Sequence, residues 1–143
     1  MKRILLLSIA VISMMFLSAC SEMVGTPIEP NENNMIIRIK NNTNFDFYGL
    51  EASILNHSPG IVNADGSKIK KGDELTFEFL KKDFELEGET EMELFILTDN
   101  NVKDDGDRVP LKRKIPLELG ANKEIFYSLR GDTINNAVLE RIK

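Results

Sequence analysis

Cysteine and histidine are almost missing from this 143-residue chain, with one of each, and tryptophan is missing altogether. A single cysteine, Cys20, excludes an intramolecular disulfide, so the folded part must be held by core packing. One histidine, His57, and one cysteine do not make a zinc site of the usual nitrogen and sulfur ligands. Positive charge is in the minority: 18 Lys and Arg face 23 Asp and Glu, for a formal net charge of −5. A nucleic-acid binder needs a basic face for the phosphates, and this balance argues against one. No Gly-rich loop precedes a helix signal, so no phosphate cradle is expected. No Gly-x-Ser-x-Gly elbow is present either. His57 lies in the turn-like stretch Asn56-His57-Ser58-Pro59-Gly60. Ser58 is its neighbour in sequence, which is not the geometry by which a histidine activates a nucleophile. The expectation is a non-catalytic protein with no cofactor.

What the chain does have begins at its first residue. Lys2 and Arg3 form a short positive region, and residues 4–17 are apolar except for Ser8 and Ser13. That run suits the hydrophobic core of a signal peptide and falls short of the ~20 residues that span a bilayer. It ends in Leu17-Ser18-Ala19-Cys20. This tetrad resembles the lipobox of bacterial lipoproteins: an apolar residue, two small ones, then cysteine. The resemblance implies that the Cys20 thiol carries diacylglycerol and that the leader is cut off before it. Each buried CH₂ of an acyl chain contributes about 0.8 kcal/mol, so two or three chains attach a protein durably where one does not.

The implied organisation is a signal peptide over residues 1–19, a lipidated cysteine with a flexible tether over 20–34, and a folded domain over 35–143. Loss of Lys2 and Arg3 with the leader takes the formal charge from −5 to about −7. Gly25, Pro27, Pro30 and the polar run Asn31-Glu32-Asn33-Asn34 lack periodicity and read as an extended spacer. The implied location is outside the cytoplasm, on the cell membrane, or on the outer membrane where the cell has one. Ser21 rather than Asp after the cysteine favours the latter by the same resemblance.

From Met35 the pattern changes to period two. Ile37 and Ile39 alternate with Arg38 and Lys40, and Asn41-Asn42-Thr43-Asn44 reads as a turn. Leu50, Ala52 and Ile54 alternate with Glu51 and Ser53, and Leu75, Phe77 and Phe79 with Thr76 and Glu78. Phe84 and Leu86 lead toward a turn at Gly88, after which Met92, Leu94 and Ile96 alternate with Glu93 and Phe95. Ile115, Leu117 and Leu119 form a further strand that contains Pro116, which confines it to an edge or a bulge. Gly120-Ala121-Asn122 reads as a hairpin turn before a strand with Ile125, Tyr127 and Leu129. In residues 134–142, Ile134, Val138 and Ile142 fit a helix face, whereas residues 138–142 also fit a short strand, which the surrounding strands favour. About seven short strands separated by turn signals predict an all-β, antiparallel β-sandwich of immunoglobulin-like pattern. It lacks the Cys…Trp…Cys framework of true immunoglobulin domains. A small lipocalin-like β-barrel is the alternative, and it wants one more strand.

Two acidic features are candidate sites. Residues 98–107 gather oxygen ligands, with Asp99, Asn101, Asp104, Asp105 and Asp107 as the calcium candidates. The EF-hand registers that start at Asp99 and at Asn101 both fail because Lys103 falls on a ligand position, so a solvated loop is preferred and no metal is expected. Glu85, Glu87, Glu89, Glu91 and Glu93 occupy alternate positions. They form either a solubilising face or a recognition surface for a basic protein or peptide, with Gly88 splitting them across a turn. Three functions follow. The first is a lipid-anchored envelope module that binds a protein or peptide, of adhesion, assembly or immunity type. The second is a carrier of a small apolar ligand, with a cavity lined by Phe77, Phe79, Leu94 and Tyr127. The third is a hydrolase built on a carboxylate pair such as Asp104 and Asp107, for which no cleft is evident.

Overall fold

The computed structural model describes residues 26–99 and 107–142. Nine strands are present in that part of the chain: β1 (Asn34–Thr43), β2 (Gly49–Ile54), β3 (Gly60–Val62), β4 (Glu74–Leu80), β5 (Glu89–Leu97), β6 (Arg108–Pro110), β7 (Ile115–Glu118), β8 (Lys123–Gly131) and β9 (Val138–Arg141). They make two open sheets. One has the order β4-β1-β8-β9. The other has the order β3-β2-β5, with β6 and β7 both pairing with β5. This is the β-sandwich that the period-two pattern predicts; the sheets do not close, and the barrel alternative is overturned.

The alternation in the sequence becomes the core. Met35, Ile37 and Ile39 of β1, Phe77 and Phe79 of β4, and Ile125 and Leu129 of β8 face Leu50, Ile54, Met92, Leu94 and Ile96 from the second sheet. All of these are at most 1 % exposed. Fully burying one such side chain contributes about 1.5–3 kcal/mol, so packing alone carries a domain without a disulfide. The Phe77 and Phe79 rings stack at 6.3 Å, and Phe84 tilts against Phe79 at 6.1 Å. Phe77, Phe79, Leu94 and Tyr127 belong to this one packed cluster.

Differences from the sequence expectation have local causes. The strand count rises because β3 and β6, of three residues each, are too short to show a period. The Asn41-Asn42-Thr43 stretch belongs to β1, because Asn41, Asn42 and Thr43 pair with Leu129, Arg130 and Gly131 of β8. Tertiary pairing overrides the local turn preference of asparagine here. Buried Asn41 is satisfied: its Oδ1 accepts from the backbone N–H and the hydroxyl of Thr43 at 3.0 and 2.7 Å. The β1–β8 ladder is parallel, unlike every other ladder of the sandwich. Residues 120–122 do not close a hairpin; they carry the chain from β7, which pairs with β5, across to β8, which pairs with β1. Phe84 and Leu86 pack against the core from a loop rather than a strand. Residues 134–142 divide: a single 3₁₀ turn, Ile134–Asn136, precedes β9. Gly131 allows this turn, since its φ is +152° and a Cβ there would lie 2.9 Å from Ala137 Cα.

The expected tether is held at its domain end. Asn31 and Asn34 close an asparagine turn: Asn34 Oδ1 accepts from Asn31 N–H at 2.7 Å, and Asn31 Oδ1 from Asn33 N–H at 2.9 Å. Asn122 N–H donates to the carbonyls of Asn31 and Asn34 at 2.8 and 2.9 Å. Further back, the Ile28 carbonyl accepts from Arg38 Nη2 at 2.8 Å. Residues 28–33 thus run as a strap over the outer face of the first sheet. Ile36, which alternates away from the core, is nonetheless fully buried on that face.

One core polar atom has no partner among the described residues: the buried Tyr127 hydroxyl. Burial pushes its pKa up from the ordinary value of 10.0. A raised phenol pKa means that the neutral form contributes stability below pH 10, and that this contribution is lost as pH rises through the folded-state value. Tyr127→Phe removes an unpaired buried hydroxyl while keeping the ring. We expect it to leave stability unchanged or raise it by about 1 kcal/mol. Urea unfolding at pH 7 and pH 11 should show the gain to be larger at the higher pH.

Candidate functional site

Two of the three outward regions of the sandwich are closed by their own charges. On the outer face of the first sheet, Arg38 is a four-way staple. Its Nε donates to Glu124, Nη1 to Thr76 Oγ1 at 3.1 Å and to Glu74 at 3.5 Å, and Nη2 to the strap. Arg38 and Glu124 are only 16 % and 25 % exposed, so the pair is shielded from water. The hydrogen bond to Glu124, together with its charge and that of Glu74, holds the guanidinium pKa above its ordinary value against the cost of burial. One side chain thus ties β4, β1, β8 and the strap together.

The outer face of the second sheet carries three of the five predicted glutamates. Glu85 and Glu87 stand in the loop before β5, and Gly88, with φ +86°, separates them from Glu89, Glu91 and Glu93 on the strand. Glu93 is paired with Lys114 at 2.9 Å. On neighbouring strands, Glu118 is paired with Lys123 at 2.9 Å and Glu51 with Arg108 at 2.7 Å. Arg108 also lies over the Phe95 ring, 4.7 Å from its centroid. The face is a lattice of ion pairs more than a bare acidic field. Glu89 and Glu91 are its exposed carboxylates outside an ion pair, and the charge of Glu91 also acts on Lys114.

The third region is the open flank of the sandwich, and the sequence reasoning missed it. A groove of about 600 Å³ lies between residues 111–116 of the second sheet and residues 136–139 of the first. Its origin is a mismatch along β5. Phe95 pairs with Pro110 and Met92 with Ile115, so two β5 residues face the four residues 111–114. The extra residues must bulge. The ladder still continues through Leu111, whose N–H donates to the Leu94 carbonyl at 2.9 Å. Leu111 and Ile115 pack against the core at either end of the bulge, and Lys112, Arg113 and Lys114 are thrown outward. Leu139, from the opposite wall, also packs against the core. The groove therefore has an apolar floor and a cationic rim. Lys114 answers Glu93, and this hydrogen-bonded pair raises its pKa. Lys112 and Arg113 form no ion pair with a described residue. The signal for this site was three consecutive cations between Pro110 and Pro116 in an otherwise acidic chain.

The remaining sequence candidates are scattered. Cys20 and the leader lie outside the described residues, as do Asn101, Asp104 and Asp105. Asp107 closes the base of its loop: its carbonyl accepts from the N–H and the hydroxyl of Thr98 at 2.9 and 2.6 Å, beside Asp99. Among the described residues, no three acidic, His or Cys side chains gather in a metal-binding group. His57 Nε2 stands 3.8 Å from Asp83, with its ring against Phe79 and Phe84. Ser58 Oγ donates to Ser53 Oγ at 2.8 Å. Among the described residues, no helix is long and apolar enough to cross a membrane.

The staple yields a direct prediction. Arg38→Met keeps much of the stem but leaves Glu124 without its cation. A loss of about 2 kcal/mol is expected. The same variant should speed amide exchange at Asn31 and Asn33, measured by hydrogen–deuterium exchange. Comparison with protein-family models, curated proteins and solved structures yields no match for this chain.

Proposed function

We propose that this chain is a lipid-anchored lipoprotein of the bacterial cell envelope, whose β-sandwich acts as a non-catalytic binding module. The observation that carries the proposal is the sequence pattern of the first twenty residues: Lys2-Arg3, the apolar run and Leu17-Ser18-Ala19-Cys20, in that order. Acylation of Cys20 supplies the membrane partner, and export supplies the extracytoplasmic location. The strap supports the same view. Seven residues, and so eight Cα-to-Cα steps, separate Cys20 from Ile28, whose carbonyl is bound to Arg38. At about 3.5 Å per extended step, the eight steps reach no more than about 28 Å. An anchored domain is thereby held close to the bilayer, suited to meeting something within or beside the envelope.

The binding role rests on the surroundings of the polar groups. His57 is set among phenylalanine rings, with no hydroxyl bonded to it among the described residues. The side chains proposed for an apolar cavity are packed into the core instead. What the surface offers is a groove with a charged rim and a face of paired charges, features through which a protein recognises a protein.

Cys20→Ser tests the anchor. The wild-type chain, expressed in a bacterium with its own leader, should take up labelled palmitate and sediment with membranes. The variant should take up none and appear in the soluble fraction. Equal labelling and equal sedimentation of the two chains would overturn the proposal.

A further inference from the structure

We propose that the open flank of the sandwich is a docking site for an extended, acidic peptide segment, which adds as a strand to the outer edge of β9 at Leu139. The proposal rests on the binding-module function given above and names the partner's chemistry.

Three observations meet at this flank. First, β9 ends the order of its sheet, so among the described residues no strand pairs with its other side. The direction of its backbone groups follows from the ladder. Ile142 N–H donates to the Phe126 carbonyl at 2.8 Å, and the register pairs Glu140 with Ser128 and Val138 with Arg130. In an antiparallel pair, alternate residues aim their N–H and C=O at the partner. Residues 138, 140 and 142 therefore face β8, and the Leu139 N–H and carbonyl point to the open edge. Second, that edge borders the groove, whose floor includes Leu111, Ile115 and Leu139. An added strand places every second side chain over such a floor. Third, the far rim is Lys112-Arg113-Lys114. The one carboxylate of β9, Glu140, is already paired with Arg130 at 3.4 Å.

Charge selects the occupant. The chain as a whole is at −5, so an acidic segment is repelled from most of its surface and attracted at this flank. Lys112 and Arg113 can answer carboxylates on the incoming strand without giving up a described ion pair. The backbone donor and acceptor of Leu139 select an extended peptide over an anionic lipid headgroup, which has no strand to pair. Exposed Val138 on β9 and Ile142 just beyond its end, at 49 % and 56 %, widen the apolar contact.

The test uses the full chain in neutral detergent and a fluorescein-labelled peptide of alternating valine and glutamate, followed by anisotropy. Controls are the valine–lysine counterpart, the same acidic peptide N-methylated at alternate residues, and vesicles containing an anionic phospholipid. The acidic peptide should bind, and the lysine and N-methylated peptides should bind at least about tenfold more weakly. Lys112→Glu with Arg113→Glu, on an exposed bulge away from the core, should weaken binding by about tenfold or more. Exchange of the Leu139 amide should slow in the complex. Equal binding of acidic and basic peptides would overturn the proposal. Binding unaffected by N-methylation, or vesicle binding with the peptides inert, would also overturn it. Palmitate uptake at Cys20 is read separately, so failure of the docking site and failure of the anchor are told apart.

Discussion

The double pairing of β1 is the constraint on which the structure depends. Its residues 34–40 are laddered to β4 and residues 35–43 to β8, so the first strand of the domain lies in the interior of its sheet. The β8 partners lie some 88 residues further along the chain, as the Met35–Lys123 pair shows. Such a ladder closes a long loop before it gains anything, which makes folding slow and dependent on the C-terminal third of the chain. Once formed, it orders what surrounds it. Arg38, in the middle of β1, reaches both neighbouring strands and the strap. β9 is placed at the margin only because β8 is held by β1.

Much of the core was legible in the sequence, since period two is a property of single strands. Ile37, Ile39, Phe77, Phe79, Leu94 and Ile96 alternate in the chain and are buried as their alternation requires. Pairing partners were not legible, because nothing local distinguishes a hairpin from a crossing between sheets at residues 120–122. The asparagines misled in both directions. Asn41 is a buried strand residue, and Asn31 and Asn34 build a hydrogen-bonded turn where a formless spacer was expected. In each case the side-chain amide is satisfied by neighbours that come from elsewhere in the chain or from the turn itself.

The groove was hidden for a related reason. A run of three cations reads as a solvated loop until the count along β5 shows that two residues face four. The bulge and the outer edge of β9 become one site only when the two sheets are stacked. The glutamates show the opposite case. Their spacing suggested a field of one sign, whereas Lys114, Lys123 and Arg108 arrive from other segments and neutralise that face piecemeal. Surface charge in this protein is therefore local: largely paired on the outer faces, where Glu89 and Glu91 stand outside the ion pairs, and positive at the flank.

The central claim is that the sandwich is held at a membrane by a lipidated Cys20. Intact-mass spectrometry of the protein extracted from bacterial membranes tests it most directly. The account predicts a chain that lacks residues 1–19 and carries the added mass of diacylglycerol on Cys20. A chain that begins at Met1, or one with an unmodified Cys20, would contradict it.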